Sequence, residues 1–229
     1  MIATSVNDTQ HLRRTALGFA SLALAAALAM PAWAQRATEP SPGLSSTPKR
    51  EVAPAELLGE LRKGGYILYF RHAATDFSQN DSNMKSFEDC ASQRNLIDRG
   101  RADARAVGAA IKQLGIPVGA VLASPFCRTV ETAQIAFGHA QKTQQVRGGP
   151  AAPADSDRYA PLRKMLITPV EKGANLAVIS HGNPFHSVAG PPYLAEGEAA
   201  VIHPLGTGFE VFARIRVEDW ETLKGAGKQ

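Results

Sequence analysis

The chain alternates between short apolar runs and segments with a helical apolar period. Three apolar runs are short enough to be buried strands: residues 65–70, 118–123 and 176–180. The spacing of apolar residues predicts helices around these runs, over residues 54–62, 98–114, 126–137 and 158–171. Strands that alternate with helices predict an α/β fold, a three-layer sandwich with a mostly parallel central sheet.

The segments between and after these elements are predicted to be loops and an edge hairpin. Residues 198–202 and 209–215 flank a Gly-containing turn, which is typical of a hairpin at a sheet edge. Residues 138–157 are irregular and rich in Pro and Gly, with a short strand expected near residues 144–146. Residues 75–94 are polar, and we expect this loop to shape a substrate site because it leaves a predicted strand end.

Residues 1–34 have the pattern of a secretory signal peptide. Arg13-Arg14 precede an apolar stretch at residues 16–30, and Ala32-Trp33-Ala34 ends it with a small-x-small pattern. The stretch is shorter than the roughly 20 residues of a spanning helix, so cleavage after Ala34 is favoured over an uncleaved membrane anchor. We therefore expect a periplasmic or secreted protein with no stable membrane span after cleavage.

The remaining chain is predicted to hold a tether and one domain. Residues 35–53 are rich in Pro, Ser, Thr and charge and have no apolar period, which is typical of a flexible tether. Residues 54–229 are enough for one domain with a sizeable core. The sequence contains no signal for the oligomeric state.

The charge balance argues against a nucleic-acid partner. The formal net charge is +4, and loss of residues 1–34 lowers it by one, since two arginines and one aspartate leave. So small an excess favours a basic pocket over a polyanion-binding surface. Residues 94–105 hold four arginines, but Asp98 and Asp103 lie among them, so we interpret this segment as a solvated helix face with ion pairs.

The two cysteines are compatible with export. An oxidising compartment allows Cys90 and Cys127 to pair, and such a bridge would tie the loop after the first strand to the region of Arg128. Two separate buried thiols are the alternative.

The ends of the three apolar runs carry the candidate chemistry. Arg71 and His72 follow the first run, Arg128 lies shortly after the second, and His181 follows the third. The carboxyl ends of parallel strands meet at one edge of a sheet, where ligands bind. Guanidinium groups match phosphate oxygens, and an imidazole can attack or exchange a proton near neutral pH. The pattern therefore indicates a pocket for a phosphoryl dianion.

The motifs around these residues resemble the signature blocks of the histidine phosphatase superfamily, which has the phosphoglycerate mutase-like fold. The resemblance covers about residues 52–215 and rests on three blocks: Arg71-His72-Ala73, Ser124-Pro125-x-x-Arg128-x-x-x-Thr132-Ala133 and Ser180-His181-Gly182. It implies that His72 is a nucleophile that becomes phosphorylated, that Arg71 and Arg128 hold the phosphoryl oxygens, and that His181 donates to the same group. It implies neither a metal nor another cofactor.

Two features depart from the family pattern. Ala73 stands where a glycine is usual after the nucleophile. The general acid is not obvious: Asp157 is the first candidate, with helix capping as its alternative role. Asp155 is the second candidate and Glu131 the third, with an ion pair to Arg128 as the alternative for Glu131. Without such an acid, the favoured substrates would be those whose leaving group needs little protonation.

Other polar residues are interpreted as ordinary surface or packing residues. His139, His186 and His203 show no ligand spacing, so no metal site is predicted. Glu196 and Glu198 are expected to be solvated at a strand entrance.

The resemblance implies an exported phosphoric monoester hydrolase of the histidine acid phosphatase type, acting on a small phosphorylated substrate. The short exported branch is the most similar in its Arg-His-Ala motif, and one such branch acts on a phosphorylated heptose of lipopolysaccharide. An envelope phospho-sugar is therefore the expected substrate class. The alternative is a non-catalytic phosphate-binding protein of the same fold, which uses the same four residues to bind without turnover.

Overall fold

One six-stranded sheet forms the centre of the protein in a computed structural model that describes residues 44–147 and 157–227. The strands are β1 (Ile67–Arg71), β2 (Val118–Ala123), β3 (Gln141–Lys142), β4 (Asn175–Ser180), β5 (Ala199–Pro204) and β6 (Phe209–Ile215). Their order is β3-β2-β4-β1-β5-β6. The first four strands of this order pair in parallel, whereas β5 and β6 join as an antiparallel hairpin at one edge. The predicted mostly parallel sheet is confirmed.

Helices cover both faces of the sheet. They are α1 (Pro54–Lys63), α2 (Asp98–Gln113), α3 (Cys127–Phe137), α4 (Ala160–Ile167), α5 (Gly182–Ala189) and α6 (Asp219–Ala226). Buried residues of α1, α2, α3 and α6 pack against one face, and those of α4 and α5 pack against the other. This arrangement confirms the three-layer α/β sandwich.

The register of the three central strands brings the predicted motifs to one edge. Arg71 at the end of β1 pairs with Ser180 at the end of β4, so His72 and His181 follow on adjacent strands. On the other side of β4, the Ser124 amide donates to the Ile179 carbonyl at 3.0 Å. The carboxyl ends of β2, β4 and β1 therefore carry the three motifs side by side.

Several elements differ from the sequence predictions. Helix α4 ends at Ile167 rather than near residue 171, because Thr168 precedes Pro169 and takes an extended conformation. The short strand near residue 144 lies instead at Gln141–Lys142. Helices α5 and α6 were not predicted, since each has only eight residues and too few turns for a clear apolar period.

Part of the predicted organisation lies outside the described residues. This applies to the signal peptide at residues 1–34, to residues 35–43 of the tether and to Asp155. Within the part of the chain that the structure describes, no helix is long and apolar enough to cross a membrane. The described residues all belong to one compact unit.

Candidate active site

His72 is held at the end of β1 with its imidazole almost completely buried. Only 1 % of the residue is exposed, and its amide donates to the Ser180 carbonyl at 2.9 Å. The ring nitrogen Nδ1 lies 2.9 Å from the Ala73 carbonyl oxygen. A carbonyl oxygen only accepts, so Nδ1 carries the proton and Nε2 keeps its lone pair. The ring is thus in the tautomer that can act as a nucleophile through Nε2.

Burial and nearby positive charge keep this imidazole neutral. Burial is the larger cause, and the guanidinium groups of Arg128, Arg71 and Arg94 add to it, so the pKa of His72 falls to about 3. The hydrogen bond from His72 to the Ala73 carbonyl opposes this effect, because it raises the pKa. The imidazole of His72 is therefore unprotonated over the physiological pH range.

His181 lies opposite His72 at the start of α5. The two ring centroids are 5.6 Å apart, with the rings in an edge-to-face arrangement. Nε2 of His181 contacts the Ser124 hydroxyl oxygen at 2.8 Å. Burial, followed by the charges of Arg128 and His72, lowers the pKa of His181 well below its ordinary value. Both imidazoles are therefore neutral, and the positive charge of the site comes from arginines.

Arg128 projects from the first turn of α3 and is fixed by a carboxylate and an aromatic ring. Its Nη1 donates to Asp81 Oδ1 at 3.0 Å, and its guanidinium carbon lies 4.4 Å from the centroid of the Phe126 ring. Only 6 % of the side chain is exposed, and the buried Nε has no hydrogen-bond partner among the described residues. Burial lowers the pKa of Arg128, and the contact with Asp81 opposes this effect.

Arg94 adds a guanidinium that the sequence analysis did not assign to the site. It lies before α2, and its main-chain amide donates to Asp81 Oδ1 at 2.9 Å. Its charge lowers the pKa of both His72 and His181. The interpretation of residues 94–105 as a solvated helix face was wrong for Arg94, but Arg99 and Arg101 do pair with Asp103 and Asp98 on α2.

Arg71 and His72 share a carboxylate, Glu196. Oε1 of Glu196 lies 3.5 Å from Nη2 of Arg71 and 3.8 Å from Nδ1 of His72. The hydroxyl of Thr75 donates to the same oxygen at 2.6 Å. The expectation that Glu196 is solvated was therefore wrong: its side chain is only 15 % exposed. Arg71 is fixed further by a bond from Nη1 to the Leu194 carbonyl at 2.9 Å.

The segment that carries Glu196 also forms hydrogen bonds with the backbone of Arg71 and His72. The Gly197 amide lies 3.2 Å from the Arg71 carbonyl oxygen and 3.0 Å from the His72 carbonyl oxygen. Gly197 has a φ of +78°, a conformation that favours glycine. Glu198, also expected to be solvated, is instead buried in a pair with Arg214 at 2.7 Å.

A disulfide joins the loop of Arg94 to the helix of Arg128. Cys90 and Cys127 are bonded, with their Cα atoms 5.7 Å apart. The Cys127 amide also donates to Gln93 Oε1 at 2.9 Å. Of the two alternatives left open by the sequence, the structure therefore contains the paired cysteines.

The general-acid candidates have partners typical of surface residues. Asp157 accepts a hydrogen bond from the Tyr159 amide at 3.0 Å and forms an ion pair with Arg163 at 3.3 Å. Such contacts are typical of a residue just before a helix. Glu131 pairs with Arg101 at 2.6 Å rather than with Arg128. Asp155 lies outside the described residues. The assignment of Asp157 as general acid stays a prediction.

No metal site is evident in the described ranges. Within residues 44–147 and 157–227, no three His, Cys, Asp or Glu side chains form a group that could hold a metal ion.

Comparison with protein families identifies the same segment. Residues 67–149 match the family model described as the histidine phosphatase superfamily (branch 1). This segment, 83 of the 229 residues, is therefore similar to that superfamily. The match includes Arg71, His72, Arg94 and Arg128, while His181 follows it in the chain. This similarity supports phosphatase chemistry in general.

Solved structures that are similar to this chain include two phosphatases and the protein YhfR. The protein histidine phosphatase SixA bound to tungstate is 16 % identical, with a TM-score of 0.48 over 67 % of this chain and 98 % of SixA. YhfR of Bacillus stearothermophilus is 17 % identical, with a TM-score of 0.44 over 64 % of this chain and 94 % of YhfR. A mycobacterial glucosyl-3-phosphoglycerate phosphatase is 14 % identical, with a TM-score of 0.43 over 61 % of this chain and 92 % of that enzyme. No curated protein sequence matches the chain.

Proposed function

We propose that this protein is an exported phosphatase that hydrolyses a phosphomonoester through a phosphohistidine intermediate on His72. The observation that carries the proposal is the state of His72: neutral, with its proton on Nδ1, and surrounded by the charges of Arg71, Arg94 and Arg128. Such a nitrogen can attack phosphorus without first losing a proton, while the guanidiniums offset the charge of the phosphoryl oxygens.

In the first step, Nε2 of His72 attacks the phosphorus atom and the ester P–O bond breaks. The phosphoryl group is then bonded to the imidazole, and the leaving oxygen takes up a proton to become an alcohol. Arg71 and Arg128 hold the equatorial oxygens, where negative charge accumulates in a loose transition state. Glu196 and the Ala73 carbonyl lie on the Nδ1 side of the ring and stabilise the positive charge that the phosphorylated imidazole acquires.

In the second step, water attacks the phosphorus atom and the N–P bond breaks. Water supplies one proton to the medium and one oxygen to phosphate, so His72 returns to its starting state. Splitting hydrolysis into two displacements replaces one difficult step with two easier ones. Asp157 remains the sequence-based candidate for protonating the leaving group in the first step.

Export is part of the proposal, and two features support it. The first 34 residues have a signal-peptide pattern, and the Cys90–Cys127 disulfide is of a kind that persists in oxidising compartments. A periplasmic or secreted phosphatase meets phosphorylated envelope components, which makes an envelope phospho-sugar the favoured substrate class. Intact-mass measurement of the exported protein tests the processing, with Gln35 expected as the mature first residue.

The activity is tested by turnover of p-nitrophenyl phosphate in excess chelator. We expect release of phosphate by the wild-type protein and none above background by His72→Ala. Rapid denaturation in base during turnover should trap an acid-labile, base-stable phosphoryl group on His72. Tight phosphate binding without turnover of any phosphate ester would instead identify the non-catalytic binding protein.

A further inference from the structure

Two exposed aromatic side chains lie directly on guanidinium groups of the proposed site. Five large apolar or aromatic residues of the described part are exposed: Leu44, Phe77, Ile97, Tyr193 and Leu205. Single exposed apolar residues are common and need no functional explanation. The location of Phe77 and Tyr193 is what sets them apart, since each ring contacts an arginine whose charge acts on His72.

Tyr193 is fixed beside the helix that follows His181. The guanidinium carbon of Arg71 lies 5.3 Å from the centroid of the Tyr193 ring. The Tyr193 hydroxyl donates a hydrogen bond to Asn183 Oδ1 at 2.6 Å. The ring lies so close to Gly182 that a Cβ atom there would come within 2.1 Å of it. The phenol is 43 % exposed despite these contacts, so part of a rigidly held ring faces solvent.

Phe77 occupies the corresponding position on Arg94. The guanidinium carbon of Arg94 lies 4.9 Å from the centroid of the Phe77 ring. Phe77 is 69 % exposed, more than the other four exposed residues. A cation over one face of an aromatic ring gains modest stabilisation, and it leaves the rest of the ring available to a ligand.

Each ring contacts an arginine of the proposed site. The charges of Arg71 and Arg94 both lower the pKa of His72, so both guanidiniums lie within electrostatic range of the nucleophile. Burial raises the pKa of the Tyr193 hydroxyl, and the charges of Arg71 and Arg94 both act to lower it. Arg94 is also linked to Arg128, because Nη1 of Arg128 donates to the Arg94 carbonyl at 3.4 Å.

We propose that Phe77 and Tyr193 form an aromatic rim that stacks on the non-phosphate part of the substrate. This inference rests on the proposed phosphatase function and names its substrate class: phosphomonoesters whose alcohol contains a ring. The CH face of a sugar and the π face of a nucleobase both pack on aromatic side chains, whereas a short open-chain alcohol offers no comparable surface. A phosphoryl group held by Arg71 and Arg128, with Arg94 hydrogen-bonded to Arg128 through its carbonyl, would place the adjoining ring of the substrate beside the rim.

A plainer role for the rings is to orient the two guanidiniums. In that case, removal of a ring would disturb phosphoryl transfer from every substrate to the same extent and would lower kcat. The aromatic rim has a different signature, because stacking on the alcohol stabilises the bound substrate without touching the reacting atoms. Its loss raises KM for ring-bearing esters alone.

The experiment compares three monoesters that each carry one phosphoryl group: glucose 1-phosphate, adenosine 5′-monophosphate and glycerol 3-phosphate. For the wild-type protein, we expect at least one ring-bearing ester to have a lower KM than glycerol 3-phosphate. Phe77→Ala and Tyr193→Ala should each raise the KM of that ester roughly tenfold, the size expected for loss of one stacking contact. Their kcat values and the KM of glycerol 3-phosphate should remain unchanged. A preference for the sugar or for the nucleotide identifies the kind of ring.

Two further variants serve as controls. Tyr193→Phe keeps the ring and removes only the hydroxyl, so it should retain the preference for the ring-bearing ester. Leu205→Ala removes an exposed apolar side chain from the turn between β5 and β6 and should change no kinetic constant. An equal loss of kcat on all three substrates in the alanine variants would overturn the aromatic rim, as would equal KM values for all three in the wild-type protein.

Binding separates failure of this inference from failure of the proposed function. Calorimetry with His72→Ala measures the affinity for glucose 1-phosphate, adenosine 5′-monophosphate and glycerol 3-phosphate without turnover. If no ester is hydrolysed by the wild-type protein but the ring-bearing ester still binds more tightly, the rim stands and the phosphatase proposal falls. Equal binding of the three esters contradicts the rim whether or not hydrolysis occurs.

Discussion

Nδ1 of His72 lies 2.9 Å from the main-chain oxygen of Ala73, and this contact determines where the imidazole carries its proton. Because the carbonyl can only accept, the proton is on Nδ1 and the lone pair is on Nε2. The contact joins neighbours in the sequence, so the imidazole of His72 is oriented by the backbone turn that follows β1.

The first prediction concerns the titration of His72. Its pKa of about 3 means that the native imidazole should stay neutral from pH 7 down to about pH 4. In the urea-unfolded chain, the same group should titrate near pH 6.5. NMR titration of selectively labelled histidine provides the measurement. A native midpoint above pH 5 would contradict the account of burial and arginine charges given above.

The second prediction concerns stability in acid. The native pKa of His72 lies below its unfolded value, so between about pH 6.5 and pH 3 the unfolded state binds a proton that the native state does not. Stability therefore falls as pH falls through this window, by up to about 1.4 kcal/mol per pH unit for one such group. Urea unfolding at pH 7, 6 and 5 should show a shallower decrease for His72→Gln than for the wild-type protein.

The control for this measurement is His139→Gln, which replaces an exposed histidine. It should leave the wild-type pH dependence in place. Parallel pH dependences for His72→Gln and the wild-type protein would show that His72 is not the source of the effect.

The third prediction concerns Glu196 as the carboxylate on the Nδ1 side of His72. Glu196→Gln removes negative charge 3.8 Å from this nitrogen, which makes the imidazole less basic and its phosphorylated form less stable. We expect kcat to fall by roughly tenfold, as for loss of about 1.4 kcal/mol of transition-state stabilisation. KM should not rise, since the potential at the phosphoryl site becomes more positive. Steady-state kinetics measure kcat and KM separately and so test both expectations.

The matched control is Glu221→Gln, which removes a surface carboxylate paired with Lys224 on α6. Its kinetic constants should equal those of the wild-type protein. A rise in KM for Glu196→Gln at unchanged kcat would assign Glu196 to substrate binding instead.

The fourth prediction concerns Arg128. Lysine in its place keeps one charge but loses the planar fork that can hold two phosphoryl oxygens while it contacts Asp81. We expect Arg128→Lys to lower kcat/KM by roughly 10²-fold or more, the size expected for loss of one preorganised donor. Circular dichroism should show an unchanged fold. Wild-type kcat/KM in a folded Arg128→Lys protein would remove Arg128 from the phosphoryl site.

The fifth prediction concerns the disulfide. The bridge closes a segment in which Cys90 and Cys127 are 37 positions apart, and its loss should lower the free energy of unfolding by about 4 kcal/mol. The double variant Cys90→Ser, Cys127→Ser should also raise KM, because the bridge links the loop of Arg94 to the helix of Arg128. Reducing agent should have the same effect on the wild-type protein and none on the double variant. Identical stability with and without the bridge would rule out this structural role.

The central sheet could be predicted from the sequence because its signals are local. Apolar runs followed by Arg71-His72, Ser124 and His181 indicate where three strands end, and parallel pairing brings such ends together. The pairing of Arg71 with Ser180 in the register of β1 and β4 follows this expectation. The short helices α5 and α6 were missed because two turns leave too little periodicity to recognise.

The loop residues of the site could not be predicted in the same way. Asp81, Arg94 and Glu196 are separated in the chain from the residues they contact: Thr75 and Glu196, for example, are 121 positions apart. Their sequence surroundings are polar and resemble ordinary solvated segments. For Arg94, nearby acidic residues even favoured the wrong interpretation, since Asp98 and Asp103 suggested ion pairs along one helix face.

The sequence alone determined the alternation of the main strands and helices, because apolar periodicity and strand ends are properties of neighbouring residues. It also determined which two histidines and two arginines follow the main strands. Only the tertiary structure decided which carboxylates face these cations, that Arg94 joins them, and that Cys90 bonds Cys127. Each of these contacts depends on how a loop returns to the sheet, and that path is set by packing between distant segments rather than by local pattern.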